Sequence, residues 1–246
     1  MKILVCISKT PDTTAKIAFK NDGKDFQNDG IQFIMNPYDE WYALVRGLEL
    51  TENQGGTVTV INVGSSDNDT IIRKGLAIGA NDAVRINKDP EGAWDVAQQI
   101  AAHVKGQSYD LILLGKETID YNDSEVGATL AELLDLPYIS YGNKLEISGI
   151  TAKVSREIEG GTETMEVQLP LVISCAKGMA EQRIPNMKGI MTAKTKPLSV
   201  VEPVSVASHV TLVSHQLPPA KKSVHMLAPE DTDELVRLLH EEAKVI

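Results

Sequence analysis

The sequence of 246 residues is short of several things at once. It contains two cysteines, Cys6 and Cys175, each inside a short apolar run, where a small buried thiol is expected and a disulfide framework is not. No stretch approaches the roughly 18 consecutive apolar residues of a membrane-spanning helix. The start, MKILVCISKT, lacks the long apolar segment and small-residue cleavage site of a secretory leader. A cytoplasmic location without membrane insertion is therefore expected. Positive charge is also in deficit: 24 Lys and Arg stand against 34 Asp and Glu, a net charge of −10. A protein that binds the phosphate backbone without regard to sequence needs a basic surface, so nucleic acid is not expected as a partner.

Catalytic patterns are missing as well. The histidines are His103, His209, His215, His225 and His240, one in a helical pattern and four in the C-terminal tail. None falls near a loop that could form a Ser-His-Asp or Cys-His arrangement. There is no H-E-x-x-H, C-x-x-C, Walker A or G-x-G-x-x-G pattern, so no catalytic residue and no metal site is assigned. The carboxylates of Asp120, Asp123 and Glu125 read as solvated loop acids.

What is present is a strand and helix alternation. Short apolar runs rich in branched residues recur at ILVCI (residues 3–7), TVTVINV (57–63), DAVRI (82–86) and DLILLG (110–115), the pattern of buried parallel strands. Between them, Trp41, Leu44, Val45 and Leu48 share one helical face, with Asn36 and Pro37 expected to start the helix and Gly55 and Gly56 to end it. A second helix is expected over residues 67–78. A third opens at Asp89 and Pro90 and buries Val96, Ala97, Ile100 and Val104. A fourth starts near Asp123 or Ser124 and buries Val126, Leu130, Leu133 and Leu134. This order predicts an α/β fold with a doubly wound, mostly parallel sheet, Rossmann-like and of the adenine-nucleotide-binding kind.

After Pro137 the period changes to two. KLEISG, TAKVSREIEGG, TETMEVQ and LPLVISCAK are expected as added antiparallel strands. Residues 1–196 thus form the nucleotide-binding domain. Residues 197–246 read as an extended C-terminal arm ending in a helix at about 230–243, with Leu235, Leu238 and Leu239 on one face. An arm that cannot bury its apolar positions locally must wrap its own domain or dock on another chain.

Open α/β sheets bind ligands beyond the carboxyl ends of their strands. The segment LILLGKETIDYNDSEVGATLAELLDLPY (111–138) is the best candidate, because a strand, a polar loop and a helix N-terminus follow one another. Backbone N–H groups at that helix start favour an anion, and Gly127 would allow close approach. Cys6 to Lys9, Asn36 and residues 63–66 would form the further wall of an adenosine pocket. Equally, Asp123 and Ser124 could simply cap the helix and Gly115 shape a turn.

One segment reverses the overall charge. Residues 176–196 hold Lys177, Arg183, Lys188, Lys194 and Lys196 against Glu181, interleaved with Met179, Ile184, Met187, Ile190 and Met191. Adaptable apolar side chains within a basic rim suit a transient protein-docking loop.

These residues carry a resemblance over the whole length. MKILVCISKTPDTTAKI, MNPYDEWYALVRGLEL, IIRKGLAIGANDAVRI, LLGKETID, VSREIEGGTETMEVQLPLVIS and IMTAKTKPL resemble the beta (small) subunits of electron transfer flavoproteins. The resemblance implies a non-catalytic electron carrier that pairs with an alpha subunit holding the redox FAD. Such a heterodimer accepts electrons from acyl-CoA dehydrogenases in fatty acid oxidation and passes them to a membrane quinone reductase, electron transfer flavoprotein–quinone oxidoreductase. It further implies a buried AMP whose adenosine lies against Cys6, Asn36, Val63 and the backbone after Gly115, with the phosphate against Thr118, Ser124, Glu125 and Val126. Thr13 and Tyr38 would lie near the FAD of the alpha subunit. Met187 matches the apolar anchor of the family's recognition loop, with Arg183 and Lys188 beside it. AMP-binding members carry an amide and a hydroxyl where this chain has Glu125 and Val126; Val126 is shared in character with the flavin-bifurcating branch, whose beta subunit holds its own FAD. A stand-alone adenine-nucleotide-binding or sensing module is the alternative from a different class.

Overall fold

The computed structural model describes residues 1–221 and 224–246. The strands are β1 (Lys2–Cys6), β2 (Lys9–Pro11), β3 (Phe19–Lys20), β4 (Asp25–Phe26), β5 (Phe33–Met35), β6 (Thr57–Val63), β7 (Asp82–Ile86), β8 (Leu111–Gly115), β9 (Tyr138–Ser148), β10 (Thr151–Ile158), β11 (Gly161–Gln168), β12 (Leu171–Cys175) and β13 (Leu198–Val201). The helices are α1 (Asp39–Gln54), α2 (Asp69–Ile78), α3 (Ala93–Val104), α4 (Val126–Leu134), α5 (Met187–Ala193) and α6 (Thr232–Arg237). By their contacts these residues divide into two compact units, Met1–Ile17 with Asn28–Leu212, and Ala18–Gln27 with Val213–Ile246.

The first unit is built on a nine-stranded sheet in the order β11-β10-β9-β12-β8-β1-β6-β7-β13. From β12 to β13 every pairing is parallel, and the four apolar runs of the sequence supply its centre. The side chains of β1 show how it is layered. Ile3 and Val5 pack with the apolar faces of α1 and α2, Leu44, Leu48, Ile72 and Leu76 among them. Leu4 and Cys6 point the other way, toward Ala97, Ile100, Leu130 and Ala131 of α3 and α4. Alternation along one strand thus sends helices to both faces, the doubly wound arrangement. Each fully buried branched side chain contributes about 1.5–3 kcal/mol through removal from water.

Several local expectations are corrected. Asn36 does not cap α1: the helix begins at Asp39 after Tyr38, whose φ of 65° turns the chain, and the Asn36 side chain is spent elsewhere. α3 begins at Ala93 behind Gly92 rather than at Asp89 and Pro90. α4 starts at Val126, after Ser124 with a φ of 55°. β9, β10 and β11 form the expected antiparallel meander. The run LPLVISC does not join it; β12 is buried throughout and pairs in parallel with both β8 and β9, because an apolar run without alternation fits a strand covered on both faces. Residues 198–201, expected as part of an arm, form β13 at the edge of the sheet beside β7. Residues 187–193, read from the sequence as part of a loop, are helical, with Asn186 Oδ1 accepting the Gly189 N–H at 2.8 Å.

The second unit joins a hairpin to the C-terminal residues. β3 and β4 pair around Asn21, Asp22 and Gly23, all with positive φ. The Phe19 ring stacks on His215 at 4.7 Å, and the His215 N–H donates to the Gly23 carbonyl at 2.7 Å. α6 is shorter than expected and passes into a wider helical turn over Leu238–Glu242. Among the described residues no helix is long and apolar enough to cross a membrane.

Candidate functional site

α3 carries the chain back across β6 and β1 to β8, so the strand order reverses between β1 and β8. At such a switch point the loops leaving the two strands part and open a crevice. Here it has a volume of about 230 Å³ and is floored by Cys6 to Lys9 after β1, by Asn62 and Val63 of β6, and by the residues from Leu114 to Thr118 at β8. The first turn of α4 and the residues before it, Asp123 to Gly127, form one wall; Asp89, Gly92, Ala93, Val96 and Ile100 form the other.

Of the residues expected at an adenosine pocket, Cys6, Val63, Gly115, Thr118, Ser124, Glu125 and Val126 all line this crevice. Asn36 acts from behind. Its Nδ2 donates to the Glu117 carbonyl and its Oδ1 accepts the Ile119 N–H, each at 3.0 Å, so a fully buried amide pins the loop that follows β8. Asn62 and Asn68 make a second buried pair: Asn62 donates to the Ile7 carbonyl and Asn68 to Asn62 Oδ1, both at 2.8 Å.

The two glycines of the segment are required by packing. A Cβ on Gly115 would fall 2.8 Å from Glu40 Cγ, and one on Gly127 would fall 2.9 Å from the Tyr138 ring. Gly127 was expected to admit a ligand; Tyr138, whose hydroxyl bonds to Ser174 at 2.9 Å, occupies that space instead.

Electrostatics divide the crevice. Ile61, Val63, Val96, Ile100 and Leu114 give it apolar walls, whereas Glu117, Asp120, Asp123 and Glu125 crowd the entrance to α4. Lys116 is held by Glu117 at 3.2 Å, and the Ser124 hydroxyl lies 3.3 Å from both Glu117 Oε2 and the Tyr141 hydroxyl. Glu40, in the first turn of α1, is buried and also lines the crevice. Burial pushes its carboxyl up to about 8, opposed by the N–H of Ser8, which donates to it. Glu40 was missed by sequence reasoning because an acid in the first turn of a helix ordinarily serves the helix dipole in water. Burial also pushes the Cys6 and Cys175 thiols up, which leaves neither poised as a nucleophile at neutral pH. Among the described residues no group of three or more His, Cys, Asp or Glu could hold a metal ion.

Tyr38 belongs to a second, shallower depression with Pro37, Asp39, Tyr42, Lys116, Glu117, Ile119 and Lys177. Burial pushes the Asp39 carboxyl up to about 6. Thr13 is exposed and lies outside both depressions.

Residues 183–196 form a third feature. Ile184, Met187, Ile190 and Met191 are exposed together, Met187 to 74%. The basic rim expected around them is thinner than its composition: the Arg183 guanidinium is paired with Glu52 at 2.6 Å and 2.9 Å, and Lys196 turns inward to the carbonyls of Leu76, Gly79 and Ala80. Lys188 and Lys194 remain exposed.

A doubly wound parallel sheet with its crevice at the switch point defines a Rossmann-like α/β protein. The pattern of the electron transfer flavoprotein domain matches residues 25–206. Curated relatives named electron transfer flavoprotein subunit beta include one from Bacillus subtilis (strain 168), 38% identical with both chains covered in full, and one from Syntrophomonas wolfei, 38% identical over 90% of this chain and 87% of the relative. A human relative of the same name is 29% identical over 100% of this chain and 99% of its own. The chain belongs to the electron transfer flavoprotein family, among its beta subunits, which are proteins of electron transport.

Proposed function

We propose that this chain is the small subunit of a two-chain electron carrier, in which an alpha subunit holds most of the redox FAD and this chain closes over one side of it. The carrier takes electrons from acyl-CoA and related dehydrogenases in the cytoplasm and delivers them to a membrane quinone reductase. The FAD supplies the redox chemistry when bound; this chain supplies surfaces. The exposed Tyr38 beside its shallow depression supports a role against a ring held by another chain. The C-terminal residues beyond Leu212, with Val213, Leu217, Val224 and Met226 exposed, dock on the alpha subunit.

The crevice at the switch point takes AMP as a structural ligand. The apolar walls at Val63, Val96, Ile100 and Leu114 fit an adenine, and Thr118 with the first N–H groups of α4 are the donors for ribose and phosphate. Glu125, where an amide would suit the phosphate, weakens the site rather than abolishing it, because its side chain is exposed and screened.

The observation that carries the carrier reading is the apolar surface of Ile184, Met187, Ile190 and Met191, exposed together within residues 184–191 of an acidic protein. The dehydrogenase docks there, with Met187 as the anchor. The test is electron acceptance by the complex from a reduced acyl-CoA dehydrogenase. Met187→Glu is expected to raise the KM for the carrier while leaving association with the alpha subunit intact. Equal loss of both would show that the segment holds the subunits together instead.

A further inference from the structure

The docking surface rests on α5, and a helix of seven residues cannot hold itself in water. Its attachment to the rest of the unit therefore decides how it faces a partner. α5 packs on α2 so closely that a Cβ on Gly189 would fall 2.3 Å from the Ala77 carbonyl oxygen. From α2, Arg73 Nη1 donates to the carbonyl of Ala193 at 2.8 Å and to that of Lys196 at 2.6 Å. Lys196 returns the contact: its Nζ lies 2.9 Å from the Leu76 carbonyl, 3.3 Å from that of Gly79 and 2.6 Å from that of Ala80. Arg73 thus satisfies carbonyls at and just past the C-terminal end of α5, and Lys196 those at and just past the C-terminal end of α2, where donors are otherwise lacking and positive charge is favoured. At the upstream end, Trp41 Nε1 donates to the Arg183 carbonyl at 3.0 Å. The segment is tied at both ends and exposed between them.

We propose that Arg73 is a positioning residue for partner docking: by fastening the C-terminal end of α5 to α2, it presets the direction in which Met187 and Met191 meet the dehydrogenase. The inference rests on the reading of residues 184–191 as the docking surface. Its physical basis is preorganisation. A surface already ordered loses less conformational freedom on binding, so the cost of ordering is met at folding rather than at each encounter. Arg73 suits the task because one half-buried guanidinium nitrogen, Nη1, reaches both carbonyls while the group stays charged at any working pH.

The experiment uses the full chain in complex with its flavin-bearing partner and compares Arg73→Ala, Arg73→Lys, Gly189→Ala and Met187→Glu. Hydrogen exchange over residues 187–193 and tryptic cleavage after Lys188 and Lys194 report local opening. Arg73→Ala is expected to speed cleavage at both sites by about tenfold and to raise the KM for the carrier severalfold with kcat unchanged, since cleavage follows the open fraction and KM rises as the reciprocal of the closed fraction once the open state predominates. Arg73→Lys should recover part of each effect, and Gly189→Ala, which pushes α5 from α2 without altering charge, should reproduce them. Unchanged exchange, cleavage and KM in Arg73→Ala, with Met187→Glu impaired, would overturn the proposal alone. A harmless Met187→Glu would instead remove the docking reading on which it stands. Should Arg73→Ala fail to fold, Arg73→Lys decides by the same measurements, a partial rise in cleavage and KM being expected and no change in either overturning the proposal.

Discussion

The backbone N–H of Ser8 donates to the Glu40 carboxylate at 2.6 Å, joining the loop after β1 to the first turn of α1 behind the crevice. Hydrogen bonding from Ser8 and Asn36 does not compensate the burial of the acid, and its carboxyl is held up to about 8 from an ordinary 4.5. In the unfolded chain the same group ionises near its ordinary value, so over the interval between 4.5 and 8 the folded state binds more protons than the unfolded state. Stability is then fully present below that interval and falls as pH rises through it.

Glu40→Gln keeps an acceptor for the Ser8 N–H and removes the titration. The variant is expected to gain stability over the parent at pH 8 and above, and to lose most of the decline in Tm between pH 5 and 8. Asp39, held up to about 6 by burial, leaves a smaller decline below that value in both proteins. Thermal unfolding across pH 4 to 9 measures the difference; parallel profiles would show that Glu40 ionises normally.

Asn36→Ala removes both bonds that pin the loop after β8 and leaves the Glu117 carbonyl and Ile119 N–H without partners. Loss of a buried, doubly bonded amide costs about 1–3 kcal/mol. Urea denaturation should show that loss, and hydrogen exchange should rise first at residues 117–119. A stability change without local exchange would place the role of Asn36 elsewhere.

Glu125→Gln removes one carboxylate from the wall expected to meet the phosphate. For an exposed group the change is worth up to about 1 kcal/mol, or roughly fivefold in affinity. Calorimetric titration with AMP should show tighter binding in the variant and a smaller salt dependence. Weaker binding would mean that Glu125 itself touches the nucleotide.

Much of the fold is legible in the sequence for a plain reason. The runs at β1, β6, β7 and β8 are mostly apolar and buried beyond their first residue because both faces of a parallel strand are covered, and the helices between them carry single apolar stripes. β12 shares that logic and is obscured by the alternating strands on its N-terminal side. Asn36 illustrates what local pattern cannot reach: Asn before Pro reads as a helix cap, yet its amide is used across 81 residues of chain. Gly127 and Glu40 are similar, since what they face, the Tyr138 ring beyond α4 and the interior, depends on how the chain packs rather than on adjacent residues. The apolar and basic character of residues 176–196 is visible by composition, whereas the inward turn of Lys196 and the pairing of Arg183 are not, because composition counts charges without saying where they point.

As proposed, this chain works only as half of a flavin-bearing pair. Purification of the intact complex from its native source, with mass determination and extraction of its nucleotides, tests that claim most directly. A one-to-one complex with a larger flavoprotein chain, releasing FAD and AMP in equal amounts, is expected. Two FAD and no AMP would place a second flavin in the crevice; a chain recovered alone, with no flavin-bearing partner, would contradict the account.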